Sequence, residues 1–202
     1  MKKLLLITML LGVGYSECNE DNWQDYYPDM AGCDLYQANL YQANLIGADL
    51  EGADLTEANL SGADLSGAYL TYANLSKVVS VIADFTGADL TQTNFYNADL
   101  QSSNFFGATV NGTIFVFANL SGANLQNIDF SGSNCYGTFF AGANLDGAGF
   151  SGVDVTYAFF DENGDLFEDI SYDAGAESGD INLDGTNDVL DVVLQINIIL
   201  GN

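Results

Sequence analysis

The feature that most constrains this chain is a large apolar residue at every fifth position, from Leu35 to Phe160. These positions hold mainly Leu before residue 80 and Leu or Phe after it, and Ser80 is their one clearly polar member. Two residues before each of them stands a small residue, most often Ala. A helix repeats every 3.6 residues and a strand every two, so neither keeps one face over this length. A short period without insertions therefore indicates a solenoid, in which each unit stacks on its neighbours.

Gly and Asn residues recur between the apolar positions, for example at Gly47, Gly62 and Asn97. Such residues suit turns that need permissive backbone conformations. The pattern therefore predicts a corner in every repeat, with one large and one small side chain turned inward each time.

The repeats also carry a specific triplet, AlaAsnLeu at 38–40 and 43–45 and AlaAspLeu at 48–50 and 53–55. This pattern resembles the pentapeptide-repeat family, whose motif is A(D/N)LXX. The resemblance implies an all-β solenoid over residues 33–162, a right-handed quadrilateral β-helix with four pentapeptides per coil. Residues 20 positions apart then stack, which predicts a buried core ladder of Leu35, Leu55, Leu75, Phe95, Phe115, Cys135 and Val155.

Three details of the core follow from this interpretation. The change from Leu to Phe predicts a bulkier core in the second half of the rod. Ser80 lies in the least regular repeats, residues 77–82, which predicts a bulge or a distorted face there. Cys135 stands at an inward position and is interpreted as a buried, unreactive thiol, since the chain has no His to act as its base.

The N-terminus predicts export. Residues 1–16 contain Lys2 and Lys3, an apolar run and small residues at the end, which is typical of a secretory signal peptide and too short for a transmembrane helix. We therefore expect a secreted or cell-surface protein. Lipid attachment at Cys18 is the alternative, although Glu17 before it fits a lipoprotein signal poorly.

Residues 17–32 lack the pattern of the repeats and contain the one Trp and the one Pro of the chain. The end of a solenoid exposes backbone groups and apolar side chains that need a cover. This segment is predicted to be the N-terminal cap. Cys18 and Cys33 flank it, and an exported chain permits a disulfide between them.

The C-terminal part contains a candidate calcium loop. Residues 163–178 are acidic and irregular and are predicted to form a linker or cap. In residues 179–191, side chains with oxygen ligands then occupy alternate positions around Gly185, as in a calcium loop. Residues 179–202 resemble one repeat of a type I dockerin. The resemblance implies a Ca²⁺ site with the ligands Asp180, Asn182, Asp184, Thr186, Asp188 and Asp191.

Several departures from the dockerin pattern accompany this resemblance. Dockerins carry two such repeats, and the earlier acidic run at 161–172 has Leu166 where the loop needs Gly. Asn187 replaces an aliphatic residue, and the partner-selecting positions, Val189 and Leu190, are both apolar. A cohesin-like partner is therefore implied only as a class. The alternative interpretation of 180–191 is an acidic turn before a helix.

The last helix is predicted over residues 188–200, and its side chains are apolar nearly all round. Such a helix needs to be buried. It could close the open end of the β-helix, pair with a second copy as a homodimer, or dock on a partner.

The charge balance excludes several functions. The chain has 28 Asp and Glu, 3 Lys and Arg and no His, for a net charge of −25. Direct nucleic-acid binding needs a basic patch that this composition lacks. The absence of His removes the usual catalytic triads, and regularly spaced, outward acids do not make a glycosidase cleft. No enzyme activity is therefore predicted, and the repeat acids are interpreted mainly as a solvated face.

The sequence thus predicts a secreted, non-catalytic structural or interaction protein, anchored through its calcium-binding module to a protein or a cell-surface component. One alternative is an accessory component of a polysaccharide-degrading, cellulosome-like system. Another follows from acidic pentapeptide-repeat proteins that mimic DNA and inhibit DNA gyrase, but the signal peptide disfavours it.

Overall fold

The computed structural model describes residues 18–160, and these form a regular coil. Each pentapeptide consists of a two-residue turn and one residue that forms parallel β-bridges with the residues 20 positions before and after it. The Leu35 amide donates to the Asp54 carbonyl at 2.7 Å, and the Asp54 amide donates to the Cys33 carbonyl at 2.9 Å. Four pentapeptides therefore complete one coil. With the usual spacing of paired strands, roughly six coils make a rod about 30 Å long.

Bridges of one residue replace longer strands because the chain turns a corner after each of them. The one helix within residues 18–160 is a 3-10 turn at Trp23–Asp25. That same part of the chain contains no helix of the length and hydrophobicity that crossing a lipid bilayer requires.

The rod has four faces, which we number by their first inward leucine. Leu35 belongs to face 1, Leu40 to face 2, Leu45 to face 3 and Leu50 to face 4, and each face continues at every twentieth residue. The ladder predicted for face 1 is buried along its whole length, at Leu35, Leu55, Leu75, Phe95, Phe115, Cys135 and Val155.

Aromatic rings fill the core in the second half. Phe85 and Phe105 stack on face 3 with their centroids 4.9 Å apart, while Phe95 on the opposite face meets Phe85 edge-on at 5.8 Å. Further along, Phe130 and Phe150 stack on face 4 at 4.6 Å. The bulkier second half predicted from the change of Leu to Phe is therefore present, and rings from opposite faces meet at the axis of the rod.

The corners have one backbone conformation. The Ala38 amide donates to the Leu35 carbonyl at 3.0 Å, and Gln37 before it has a φ of 55°. A left-handed residue at the third position of a four-residue turn is characteristic of a type II turn. Gly occupies this position in many repeats, but Ile82 also adopts it, with a φ of 59°, although its branched side chain disfavours that region.

The coil begins earlier than the sequence predicts. Residues 17–32 are expected to form a separate cap, yet Asp29 pairs with Asp49 as the repeat requires. Met30 is fully buried and takes the inward position of face 4, directly before Leu50. The preceding residues lie over this first coil, with Trp23 packed against the core. Met30 was missed because its repeat lacks the Ala and Leu of the motif.

The prediction of a bulge or distorted face at Ser80 is wrong. Val79 bridges both Asn59 and Asp99, and the Ser80 amide donates to the Asp99 carbonyl at 2.7 Å. The backbone pairs with its neighbours independently of the inward side chain, so a small polar residue changes the filling of the core and leaves the pairing of the coils regular. Within residues 18–160, the corner after Ser80 alone differs, because the Ala83 amide donates to the Ser103 hydroxyl at 3.1 Å instead of to the Ser80 carbonyl.

Several predictions concern residues outside the described range of 18–160. These are the signal peptide at 1–16, the last two residues of the repeat region, the linker at 163–178, the calcium module at 179–202 and the helix at 188–200.

Candidate interaction surface

The outward Asp and Asn residues next to each inward residue hold the corners. The Asp34 carboxylate accepts a hydrogen bond from the Tyr36 amide at 3.2 Å, and the Asn39 side-chain oxygen accepts one from the Tyr41 amide at 3.3 Å. The same bond recurs along the rod, for example from the Ser131 amide. A short acceptor two residues before an amide mimics a backbone turn. These residues are therefore structural as well as solvated.

Asp29 and Asp49 are direct neighbours on face 4, and beyond them the acids of this face are spaced apart along the rod. Asp49, Asp89 and Asp129 alternate with Tyr69 and Thr109 in one outward column. Neutral residues interrupt the acids, so the face does not carry an unbroken line of charge.

Asp129 has a close hydroxyl partner. The Ser131 hydroxyl donates to its carboxylate at 2.6 Å and the Ser131 amide donates at 2.9 Å. These two bonds, the hydroxyl first, lower the pKa of the Asp129 carboxyl because they favour its charged form.

A polar ladder occupies the corner between faces 1 and 2 in the first half of the rod. Gln37 donates to the Glu57 carboxylate at 2.9 Å, and the Lys77 ammonium forms an ion pair with it at 3.1 Å. The bond from Gln37, followed by that from Lys77, lowers the pKa of the Glu57 carboxyl. Lys77 carries the one Lys or Arg charge of residues 18–160, and Glu57 compensates it.

An aromatic stripe continues the same corner in the second half of the rod, and consists of Tyr96, Phe117, Tyr136 and Tyr157. Successive rings meet edge to face, with centroids 6.1, 5.5 and 5.4 Å apart. Tyr96 and Phe117 are each 43% exposed and Tyr157 is 54% exposed. Four rings in contact thus lie along the rod axis, and all but the half-buried Tyr136 have much of their surface in water.

Gly137 makes room for this stripe. A Cβ atom at this position would lie 2.6 Å from Cδ1 of Phe117, so any side chain there would displace the ring. On the adjoining face 2, Phe139 is 40% exposed and stacks on Phe159 with a centroid distance of 4.6 Å. This end of the rod therefore presents apolar aromatic groups on a corner and on the neighbouring face.

The structure contains one disulfide and one free cysteine within residues 18–160. Cys18 and Cys33 form a disulfide that ties the N-terminal segment to the first coil. Cys135 is a free thiol, and burial raises its pKa far above the ordinary value, so that it stays protonated and unreactive.

The predicted metal ligands, Asp180, Asn182, Asp184, Thr186, Asp188 and Asp191, lie outside the described residues. Within residues 18–160, no group of three or more His, Cys, Asp or Glu side chains is placed to hold a metal ion. The regular outward spacing of the repeat acids accounts for this, because most of the outward Asp side chains, such as Asp34 and Asp129, bond the corner amide two residues on.

The five-residue period of the sequence does not reveal the aromatic stripe. Its members alternate between two corner positions, and each position repeats only every 40 residues, as in Tyr96 and Tyr136 or Phe117 and Tyr157. Aligning the sequence in rows of 20 would place all four rings in two adjacent columns.

Comparison with known proteins identifies the repeat. The family model described as pentapeptide repeats matches eight copies in this chain, within residues 33–71, 48–79, 83–122, 113–152 and 123–160. No curated protein matches the chain.

Solved structures share the coil. Two trypsin-treated variants of QnrB1, described as a plasmid-mediated fluoroquinolone resistance protein, are 20% and 22% identical, with TM-scores of 0.60 and 0.64. Each alignment covers 67% of this chain, and 72% and 70% of the respective QnrB1 chains. A pentapeptide repeat protein from the Arabidopsis thaliana thylakoid lumen is 26% identical, with a TM-score of 0.44 over 68% of this chain and 88% of its own.

Proposed function

We propose, from the premise that this chain belongs to the pentapeptide-repeat family, that it is an exported rod which presents its outer surface to a protein or cell-surface partner. Proteins of this family are generally structural or binding proteins rather than enzymes. In this proposal, residues 179–202 form a calcium-binding, dockerin-like module that anchors the rod.

One observation carries the binding role. Apart from the polar Ser80 and the partly buried Leu145, the inward positions from Met30 to Phe160 hold buried apolar side chains, so the interior of the described coil is a packed core. Any partner must therefore be recognised on the outer faces and corners or at the ends. The outer surface is rigid because each repeat is bonded to the coils on both sides, which suits a display surface.

The disulfide supports the proposal of export. Cys18 and Cys33 are bonded, and such bonds persist in oxidising compartments outside the cytosol. The signal-like composition of residues 1–16 leads to the same compartment.

Calcium titration tests the anchoring module. The alternation of oxygen ligands around Gly185 leads us to expect one Ca²⁺ per chain, with a dissociation constant on the order of 0.1–1 mM. Calorimetry on the full chain should show binding heat that is lost in Asp180→Ala and kept in Asp165→Ala, a matched change in the acidic segment before the loop. The absence of heat with Ca²⁺, or equal heat in wild type and Asp180→Ala, would remove the module from the proposal.

A deletion tests the anchoring role. Removing residues 179–202 should leave the circular-dichroism spectrum of the coil unchanged, because the backbone bonds that pair its described coils join residues within 18–160. Retention on the surface of the source cells in Ca²⁺ should be lost. Unchanged retention would show that the rod, and not the module, is the anchor. If the protein belongs to a cellulosome-like system, a soluble cohesin should also release the retained protein from the cells.

The DNA-mimic alternative stays a second prediction, favoured by the outward acids and the strongly negative chain. The likeness to QnrB1 shows a shared fold at 20–22% identity and does not transfer the function of that protein. A gyrase supercoiling assay separates the two ideas. Inhibition by the full chain at micromolar concentration would support mimicry, and undiminished supercoiling would remove it.

A further inference from the structure

From the aromatic stripe we infer that the rod binds a neutral, extended β-1,4-linked glycan along the corner between faces 1 and 2. This inference goes beyond the anchoring role proposed above, because it assigns a ligand to the described rod itself. It rests on the exposure of the rings, their spacing along the axis and the uncharged, amide-bearing residues beside the middle of the stripe.

The exposed rings offer the surface that sugars recognise. Aromatic faces contact the axial C–H groups of pyranose rings, and Tyr adds a hydroxyl that can bond to the sugar. Tyr96, Phe117 and Tyr157 keep between two fifths and slightly more than half of their surface exposed while each contacts a neighbouring ring of the stripe. Phe117 and Tyr136 have ring contacts on both sides and the two end rings on one side, so binding would cost little ordering of side chains.

The spacing of the stripe matches a polymer with a two-sugar repeat. Tyr96 and Tyr136 occupy the same corner position two coils apart, a distance of roughly 9–10 Å at ordinary strand spacing. Phe117 and Tyr157 repeat at the same interval in the adjacent column. This interval is close to the length of a disaccharide unit in an extended β-1,4-linked chain, where every second ring presents the same face.

The residues beside the middle of the stripe are uncharged and contain amide donors, whereas Asp99 and Asp154 flank its two ends and Lys77 lies one coil before Tyr96. Beside its middle lie Ile114 and Asn134 on face 1 and Asn119 and Phe139 on face 2. Within the described residues, the side-chain amide nitrogens of Asn119 and Asn134 have no hydrogen-bond partner, while their oxygens hold the corners. These nitrogens are free to donate to sugar hydroxyls.

The charge of the chain selects among polymers. A net charge of −25 repels acidic polysaccharides and nucleic acids, and the aromatic side chains of the stripe themselves carry no charge. A row of rings that recurs at a regular interval along the axis also suits a repeating polymer better than the irregular patch of a folded protein. These observations favour a neutral glycan as the occupant.

Calorimetry with cellohexaose on the full chain tests this inference. The titration is done in EDTA, so that a failure of the calcium module leaves the result unaffected. We expect saturable binding to cellohexaose, and no binding to maltohexaose, whose α-linkages coil the chain, or to oligogalacturonate, which is acidic.

Variants locate the site. Tyr96→Ala/Tyr136→Ala should weaken cellohexaose binding at least tenfold, since aromatic anchors dominate such interfaces. The matched control is Tyr69→Ala/Tyr72→Ala, which removes two tyrosines that are 58% and 60% exposed elsewhere on the rod and should leave binding unchanged. Equal thermal unfolding of both variants would show that the coil is intact.

Three results would overturn the inference. They are no binding of cellohexaose by the wild type, equal binding by the stripe variant and the wild type, and a stripe-dependent dimer in analytical ultracentrifugation. The last result would show that a second copy of the chain, and not a glycan, covers the stripe.

Discussion

The Ser80 side chain provides the sharpest test of how this core is held together. It occupies an inward position on face 2, between Leu60 and Leu100, and is fully buried. Its hydroxyl has no hydrogen-bond partner. A buried polar group without a partner loses its bonds to water and costs about 1–3 kcal/mol.

Replacing Ser80 by Ala removes this hydroxyl and changes the volume by one atom. The free energy of unfolding should rise by about 1 kcal/mol, at the low end of the range above because the replacement leaves a small gap. For a chain of this size, that increase corresponds to about 3 °C in the midpoint of thermal unfolding.

Ser103→Ala is the matched control, because Ser103 is equally buried but fully bonded. Its hydroxyl donates to the Ser80 carbonyl at 2.5 Å and accepts from the Ala83 amide at 3.1 Å. Removing it breaks both bonds, and the corner must shift before the two backbone groups can bond each other directly as Ala38 and Leu35 do, so stability should fall by about 1 kcal/mol. The same chemical change is thus expected to act in opposite directions at two neighbouring sites.

Urea unfolding followed by circular dichroism, under non-reducing conditions, measures both effects. If Ser80→Ala were no more stable than the wild type, the hydroxyl would not be an unpaired group in the core. If Ser103→Ala were unaffected, the inward hydroxyls would not contribute to the stability of the corners.

Three further predictions concern the corners and the N-terminal segment. Ile82→Gly should stabilise the coil by about 1 kcal/mol, because Ile82 is strained at a φ of 59° and its side chain is 68% exposed. Gly87→Ile should destabilise the coil by a similar amount, because Gly87 has a φ of 65°. Urea unfolding measures both variants, and stabilities equal to that of the wild type would contradict the strain. Ser131→Ala should raise the pKa of the Asp129 carboxyl towards its ordinary value, as measured by NMR titration. Because the pKa of this carboxyl is lowered in the folded state, the carboxyl stabilises the fold above its unfolded pKa, and this stabilisation is lost as the pH falls through its folded pKa. In Ser131→Ala the loss should begin at a higher pH. An unchanged titration would exclude the Ser131 hydroxyl as the cause of the lowered pKa. Replacing both cysteines of the N-terminal disulfide by Ala should lower the free energy of unfolding by about 3 kcal/mol, because the disulfide joins residues 15 positions apart. Thermal unfolding measures this loss, and an unchanged midpoint would show that the bond does not restrain the unfolded chain.

The sequence by itself determined which side chains face inward. All repeats share one backbone conformation, so a period of five assigns Leu35 and Phe95 to the core without knowledge of any contact between them. The small residue two positions earlier, such as Ala38, follows for the same reason. Even the regular coil at Ser80 obeys this rule, and the expected distortion was wrong because it gave the side chain an influence that the backbone pairing does not allow.

Only the tertiary structure decided what lies beside what on the outer surface. The role of Asn39 in bonding the corner amide depends on the orientation of its side chain, which the period leaves open. The contact between Phe117 and Tyr136 joins different corner positions of successive coils, and it requires the space left by Gly137. The physical reason is that inward positions are fixed by the local turn of the chain, whereas surface contacts form between residues about 20 positions apart, whose approach depends on how the coils stack.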